Sequence, residues 1–181
     1  MLETPRLRVR SWRADDVAPF ATMCADAEVM RYFPERLSPK QAAAFVERVT
    51  AHEAEHGYTF WAVEERAGGR FVGFTGLYYQ TRAGLPFAPG LEIGWRLRRE
   101  VWRRGYATEA ARACLAHAFG TLGASEVHAI TSAKNAPSLG VMRKLGMERR
   151  GAFEHPAIAA DTGLREHEWY SVRAGDVTSR T

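Results

Sequence analysis

The segment over residues 91–110 carries the residue types best suited to binding an anion. A strand-like run over 91–97 leads into a basic turn, and the turn opens a helix-like segment. Helix N-termini present unpaired N–H groups and a positive dipole end, which suit phosphate. Gly105 and the small Ala107 allow a ligand to approach the backbone closely. Neither G-x-x-x-x-G-K-[ST] nor G-x-G-x-x-G occurs, so the segment predicts a phosphorylated ligand held in another way. The alternative is a turn with small residues for packing and arginines for solubility.

A second segment with possible chemistry is residues 52–56, which match H-E-x-x-H. On a helix this spacing places two imidazoles on one face as zinc ligands, with Glu53 as general base. Glu55 adds an awkward charge inside the motif, and Gly57 ends the helix at once. We therefore favour a solvated helix end over a zinc metalloprotease, which stays a minor alternative.

The charge of the chain points to the same turn as the first segment. The 181 residues carry a net charge of +4, and 22 of the 25 basic residues are arginine, which suits bidentate binding of phosphate. Residues 96–104 alone hold five arginines and one glutamate, a local excess equal to that of the whole chain. This concentration argues for one phosphate-facing turn and against a nucleic-acid surface, because no helix carries a one-sided arginine stripe.

Composition narrows the class of protein. No apolar run approaches the roughly 20 residues of a membrane span, and the N-terminus lacks a signal-peptide pattern. Cys24 and Cys114 lie among apolar neighbours and are expected to be buried thiols. We expect a soluble, cytoplasmic protein with one domain over 1–173 and a polar, frayed tail over 174–181.

The elements that must position these residues follow from periodicity and breakers. Their order is β-α-α-β-β-β-α-β-α-β-β, which predicts an α/β mixed sheet with helices on both faces. The predicted strands are 7–11, 59–65, 70–79, 91–97, 126–131, 147–153 and 167–172. Residues 14–32 are predicted to be mainly helical, and the other predicted helices are 39–56, 105–119 and 135–145.

Two blocks of sequence resemble one family. Residues 102–110 read W-x-x-G-Y-A-T-E-A, similar to the acetyl-CoA-binding motif of the GNAT superfamily of N-acetyltransferases in its Rim-type branch (ribosomal-protein alanine N-acetyltransferase-like). Trp102 stands where the general motif has Gln or Arg. Residues 135–147 resemble the second cofactor-contacting helix, with Met147 in place of Phe. The opening L-x-T-x-R-L at 2–7 and the strands at 71–77 and 164–167 extend the likeness.

The resemblance implies a central mixed, mostly antiparallel sheet with a splay between strands four and five. It also implies acetyl-CoA as co-substrate, with the pantetheine arm along strand four and the pyrophosphate on backbone N–H groups of the turn. Asn135 is expected to contact the pantetheine arm, and Lys144 either reaches a phosphate or lies in solvent. The implied cofactor residues are Trp95, Arg96, Leu97, Arg103, Arg104, Gly105, Tyr106, Ala107, Thr108, Asn135 and Lys144.

The implied activity is direct attack of a primary amine on the thioester, which needs a base and an acid. Glu92 is the candidate base, with an ordinary polar strand residue as the alternative, and His155 is the second candidate. Met142 occupies the position where many GNAT enzymes carry a Tyr that acts as the general acid. The role of acid therefore moves to Ser138, for which helix capping is the alternative.

The acceptor is less constrained by the sequence. The resembling branch acetylates protein N-termini and small amines such as polyamines and aminoglycosides. An α-amine is slightly favoured because its pKa of about 8 lies below that of lysine, about 10.4. We expect no metal, nucleic-acid or membrane partner, and a homodimer by analogy. A non-catalytic CoA-sensing module of the same fold stays open. The candidate amine pocket comprises Trp12, Tyr32, Phe33, Trp61 and Tyr78.

Overall fold

A single eight-stranded sheet organises the computed structural model, in which residues 1–177 are described. The strand order is β1-β2-β3-β4-β5-β6-β8-β7, and every neighbouring pair is antiparallel except β5 and β6. This confirms the mixed, mostly antiparallel sheet. The strands are β1 (Leu2–Glu3), β2 (Leu7–Arg10), β3 (Phe60–Glu65), β4 (Phe71–Gln80), β5 (Gly90–Leu97), β6 (Glu126–Ser132), β7 (Glu148–Glu154) and β8 (Glu166–Arg173).

The helices differ from expectation at two places. The prediction that residues 14–32 are mainly helical is confirmed, but a 3₁₀ turn opens the segment and Asp26 interrupts it with an extended backbone. The Asp26 side chain accepts a hydrogen bond from Glu28 N–H and so caps a new helix. The predicted tail begins with a short helix, and its remainder, 178–181, lies outside the described residues. The helices are α1 (Val17–Ala25), α2 (Ala27–Met30), α3 (Pro39–His56), α4 (Tyr106–Gly120), α5 (Ala136–Lys144) and α6 (Ala174–Val177).

Both faces of the sheet are covered, as the sequence predicts. Helices α1 and α3 pack on one face, where Cys24 is buried in an apolar cluster with Phe74. Helix α4 covers the other face, where Cys114 is buried with Ile93. Both thiols are free and buried, which confirms the expectation. Within residues 1–177 no helix is long and apolar enough to cross a bilayer.

The sheet opens between β5 and β6. Strand β5 pairs with β4 along all of its length, from Gly90 to Leu97. With β6 it shares one register pair, Glu92 opposite His128. Beyond that pair the two strands diverge, so the β6-side edge of β5 keeps its backbone groups without a strand partner. The fourth and fifth predicted strands correspond to β5 and β6, because the structure has one more strand, β1, before them. This opening is therefore the predicted splay.

Candidate active site

A cleft of about 610 Å³ runs from the open edge of β5 to the first turn of α4. Residues of α2, of the chain that follows it and of α5 close its sides. The cleft is lined by all the cofactor residues expected from the sequence except Arg104, and by Ser138. The structure therefore brings together expected cofactor residues that are up to 49 positions apart, from Trp95 to Lys144.

The floor of the cleft is a turn built from left-handed residues. Arg103 has φ 61° and Gly105 has φ 81°, and Arg103 is the one non-glycine residue with positive φ in residues 1–177. The first hydrogen bond of α4 runs from Glu109 N–H to the Gly105 carbonyl, 3.0 Å. The N–H groups of Tyr106, Ala107 and Thr108 precede that bond and remain available to an anion. A strained arginine next to a helix N-terminus is typical of a functional turn.

The carboxylate of Glu109 on α4 fixes this turn through hydrogen bonds from residues near the N-terminus of the chain. Glu109 accepts hydrogen bonds from Thr4 Oγ1 (2.6 Å), from Arg6 N–H (2.9 Å) and from Arg6 Nε (2.7 Å). Arg6 also donates to the Arg104 carbonyl, 2.9 Å. Burial would raise the pKa of Glu109, but the hydrogen bonds from Thr4 and Arg6 outweigh it and lower the pKa. Sequence reasoning missed this clamp, although the motifs at 2–7 and 102–110 contain all three side chains.

Two aromatic residues of the turn are tied to neighbouring strands. The indole of Trp102 donates to the Leu97 carbonyl, 2.8 Å, which joins the turn to the end of β5. The Tyr106 hydroxyl donates to Glu65 Oε1, 3.0 Å. Trp102 therefore replaces the general Gln or Arg of the motif with a hydrogen-bonded wedge between strand and helix.

The five arginines of residues 96–104 do not all face the cleft. Arg96 and Arg103 line it. The other three lie near carboxylates on the surface: Arg98 with Glu100 (3.5 Å), Arg99 with Asp26 (3.9 Å) and Arg104 with Glu65 (4.0 Å). The local charge excess is therefore divided between the cleft and ordinary surface ion pairs.

Helix α5 contributes the opposite wall. Asn135 is its N-cap and accepts from Ser138 N–H, 3.3 Å, while its amide donates to Thr131 Oγ1, 2.9 Å. Each end of the Asn135 amide keeps one unused site, so the side chain can still bind a ligand. Ser138 lines the cleft, and Lys144 lines it at the other end of the helix. Met142 is 1% exposed and packs into the core instead.

Glu92 lies outside the cleft lining, at the point where β5 and β6 begin to diverge. Its carboxylate accepts from Gln80 Nε2, 2.7 Å. Burial raises the pKa of Glu92 to about 7, against the opposing effects of Gln80 and of the charges of Arg48 and Arg82. A partly buried carboxyl with this pKa can exchange a proton near neutral pH.

His155 lies on the chain that follows β7, in contact with His167 at 4.8 Å between ring centroids. Its Nδ1 accepts from Ala157 N–H, 3.2 Å, so the neutral ring carries its proton on Nε2. Burial, His167 and Arg82 lower the pKa of His155 to about 4. This tautomer and pKa make His155 a hydrogen-bond donor at Nε2, which weakens it as a second candidate base.

The five aromatic residues expected to form an amine pocket are dispersed. Tyr32 and Phe33 line the cleft. Trp12 donates to the Phe60 carbonyl, 2.7 Å, and Trp61 is buried in the core. Tyr78 stacks on His52 at 3.9 Å, next to Glu92 in the sheet. The structure therefore does not bring these side chains together into one pocket.

The H-E-x-x-H match has a structural explanation. His52 Nδ1 donates to the Tyr58 carbonyl, 2.9 Å, and its Nε2 accepts from Tyr79 N–H, 3.1 Å. Both ring nitrogens are therefore occupied, and burial lowers the pKa of His52 and keeps it neutral. Glu53 accepts from Ser11 and Trp61. Among residues 1–177 no three His, Cys, Asp or Glu side chains cluster as metal ligands.

Comparison with known proteins agrees with this geometry. Residues 6–148 match the family model described as an acetyltransferase (GNAT) domain. The chain belongs to the GNAT acetyltransferase family. It is accordingly an acyltransferase, of a family that uses acetyl-CoA.

Relatives and solved structures extend the match over most of the GNAT chain. Uncharacterized protein YkkB of Bacillus subtilis (strain 168) is 31% identical over 147 residues, 81% of this chain and 84% of that protein. Uncharacterized N-acetyltransferase YnaD of the same organism is 30% identical over 154 residues, 84% and 85% of the two chains. A GNAT-family acetyltransferase from Bacillus anthracis superposes with a TM-score of 0.80 at 23% identity, covering 96% and 98% of the two chains. This last likeness concerns the fold alone.

Proposed function

We propose that this GNAT protein transfers the acetyl group of acetyl-CoA to a primary amine, by direct attack of the amine on the thioester. The observation that carries the proposal is the cleft between the open edge of β5 and the first turn of α4. It joins unpaired strand groups, free helix N–H groups and Ser138 in one continuous surface. Glu92, whose pKa is about 7, lies on the same strand, three residues before Trp95.

The cleft has the donors that acetyl-CoA requires. Its diphosphate suits the N–H groups from Arg103 to Thr108, and the side chains of Arg103 and Lys144 add positive charge there. Amides of the pantetheine arm suit the open edge of β5 at Trp95 to Leu97, as a strand would. Asn135 offers one further donor and one acceptor. When bound, acetyl-CoA supplies the acyl thioester.

Glu92 acts as the base in this proposal. Its carboxylate takes the proton of the attacking ammonium, directly or through water, and Gln80 holds the carboxylate in place. A pKa of about 7 lies close to that of an α-amine, about 8, so the transfer is nearly balanced. A lysine side chain, with a pKa of about 10.4, is a harder acceptor for the same base.

Ser138 is the proposed acid. Its hydroxyl makes no hydrogen bond with other side chains of residues 1–177, and it lines the cleft near the first turn of α5. A neutral hydroxyl is a weak acid, so we expect Ser138→Ala to lower kcat by about threefold to tenfold. Turnover equal to that of the wild type would remove Ser138 from the mechanism.

Two measurements test the proposal. Acetyl-CoA at 100 times its Kd should stabilise the fold by about 2.7 kcal/mol in a thermal-shift assay. Release of free thiol should then depend on an added amine, measured over a panel of peptides and small amines. No thermal shift at saturating acetyl-CoA contradicts the proposal. A thermal shift without turnover on any amine favours a CoA-sensing module, to which the buried Met142 would then point.

The remaining expectations belong to the same proposal. The string from Trp102 to Ala110 supports the Rim-type branch. A single domain over 1–173, a cytoplasmic location and a homodimer are kept as proposals. Limited proteolysis, cell fractionation and light scattering on the purified protein test them in that order.

A further inference from the structure

Two arginines flank Glu92 on the face of the sheet that α3 covers. Tyr78 lies directly opposite Glu92 in the β4–β5 register, and the Arg48 guanidinium is 5.6 Å from the Tyr78 ring. Gln80, which donates to Glu92, ends β4, and Arg82 follows two residues later. Both guanidinium charges act on the Glu92 carboxyl. Arg48 and Arg82 therefore approach the candidate base from α3 and from the β4–β5 connection.

Neither arginine has an acidic partner. Within residues 1–177 no carboxylate lies within ion-pair distance of Arg48 or Arg82, and both side chains are exposed. Many arginines elsewhere in the described residues are paired with acids: the buried Arg10, for example, contacts Asp16 and Glu64, each at 2.6 Å. Arg48 and Arg82 thus act on Glu92 from beyond ion-pair distance, and neither guanidinium group is held by a carboxylate of the described residues.

The other titratable groups near this site do not offset that positive charge. Burial lowers the pKa values of His52, His128, His155 and His167, which keeps these four rings neutral near pH 7. Glu154, next to His155, is paired with Arg165 at 3.0 Å. Glu126, which acts on His128, lies near Arg150 and Arg173 at 3.7 Å. Glu55, which acts on His52, is an exposed carboxylate at the end of α3, and Glu92, at a pKa of about 7, is only partly ionised. The surroundings of the base therefore carry a positive excess.

We propose that the acceptor is a primary amine that also carries a carboxylate or another anionic group, and that Arg48 and Arg82 bind this anion. The inference rests on the proposed function and specifies the acceptor class of that site. A guanidinium suits the planar fork of a carboxylate. A polycationic acceptor such as spermidine would place extra ammonium groups beside two guanidinium groups, which repels it.

Matched tripeptide amides test the charge preference with the α-amine held constant. The probes are alanyl peptides whose second and third residues are both glutamate, both glutamine or both lysine, with spermidine as a fourth acceptor. We expect kcat/KM for the acidic peptide to exceed that for the neutral peptide by about tenfold, and the basic peptide and spermidine to be poorest. The preference should shrink as salt is raised, because exposed charges are screened.

Variants then locate the preference. Arg82→Gln and Arg48→Gln should each bring the acidic-to-neutral ratio of kcat/KM towards one, and Arg82→Glu should reverse it. Arg143→Gln is the control, because Arg143 is exposed on α5, outside the cleft lining and likewise without a carboxylate partner in the part of the chain that the structure describes. Calorimetric titration of the acidic peptide into the protein saturated with CoA gives a second readout, in which the same ranking of Kd is expected.

The outcomes separate the inference from the proposed function. Equal kcat/KM for the three peptides, or a preference for the basic peptide or spermidine, overturns the charge preference and leaves N-acetyl transfer standing. An unchanged acidic-to-neutral ratio in both arginine variants overturns the assignment to Arg48 and Arg82. No acetylation of any acceptor, with the acetyl-CoA thermal shift intact, overturns both proposals.

Discussion

The proposed cofactor half and the proposed acceptor half of the molecule, called the cofactor half and the acceptor half below, are built in different ways. The cofactor half consists of the end of β5, the turn at 98–105, α4 and α5, and its contacts come largely from consecutive backbone groups. The acceptor half draws single side chains from α3, from β4 and from the connections after β4 and β7. A ligand held by backbone leaves a contiguous sequence motif, whereas a ligand held by scattered side chains does not.

The strongest test of this division is Glu92→Gln. Loss of the base should lower kcat by about 10²-fold, within the usual range for general base catalysis. Binding of acetyl-CoA should stay within about twofold, because Glu92 lies outside the cleft lining. Steady-state kinetics and calorimetric titration of acetyl-CoA measure the two effects. Equal losses in both would show that the two halves are not separable at this residue.

The pH dependence of the same residue gives the next largest effect. Glu92 accepts a proton only when ionised, so kcat/KM, which reports pKa values of the free enzyme, should fall about tenfold per pH unit below a pKa of about 7. Stability should show the opposite trend. A carboxyl whose pKa is raised on folding stabilises the protein below its unfolded pKa, about 4.5, and this contribution is lost as pH rises through about 7. Glu92→Gln should therefore raise the Tm relative to wild type at pH 8 and leave it nearly unchanged at pH 4.5. A Tm difference independent of pH would contradict the raised pKa.

In the cofactor half, Glu109→Gln should weaken the clamp on the turn. Charge-assisted hydrogen bonds are stronger than neutral ones, and three converge on this carboxylate. We expect the Kd for acetyl-CoA to rise about tenfold, or about 1.4 kcal/mol, with kcat at saturation little changed. Glu168→Gln is the control, since it breaks a comparable two-bond contact with Arg149 on the far side of the sheet. The same rise in Kd in both variants would argue against a specific clamp.

The smallest expected effect concerns backbone strain. Arg103→Gly removes a side chain from a left-handed residue, which should stabilise the fold by about 1 kcal/mol or less. The matching rise in Tm is at most about 2–4 °C for a chain of this size. Acetyl-CoA affinity should fall slightly because one positive charge is lost from the cleft. A decrease in Tm would show that the arginine side chain stabilises the turn.

The cofactor half could be predicted from the sequence to a large extent. The turn and the helix cap at Asn135 follow from contiguous residues whose local conformations suffice to place them. The splay joins two separate segments and was implied by the resemblance to the GNAT family. The contact between Thr4 and Glu109 could not, because it joins positions 105 apart and no local rule pairs them. The break at Asp26 was also missed, because the apolar periodicity of the sequence continues through it. In the structure the Asp26 side chain caps a new helix, and this hydrogen bond outweighs the periodicity.

The acceptor half was harder to predict. Glu92 was identified as a titratable strand residue, but its pKa depends on burial and on Gln80, Arg48 and Arg82. The predicted amine pocket of five aromatic residues was wrong as a set, because aromatic side chains pack in a core as readily as they contact a ligand. Trp61, which is buried in the core, is an example. Tertiary contacts between single side chains produce no periodicity or fixed spacing in the sequence by which they could be detected.

The opening between β5 and β6 also bears on aggregation. The outer edges of the sheet are poor templates for a foreign strand, because β1 is two residues long and β7 carries charged residues at both of its ends. The long unpaired edge of β5 lies instead inside the molecule, between α4 and α5. Backbone groups that would pair with a foreign strand at an exposed edge are thus accessible only to a ligand that fits the narrow cleft. Binding of that ligand should slow amide exchange along β5 more than along β1 or β7.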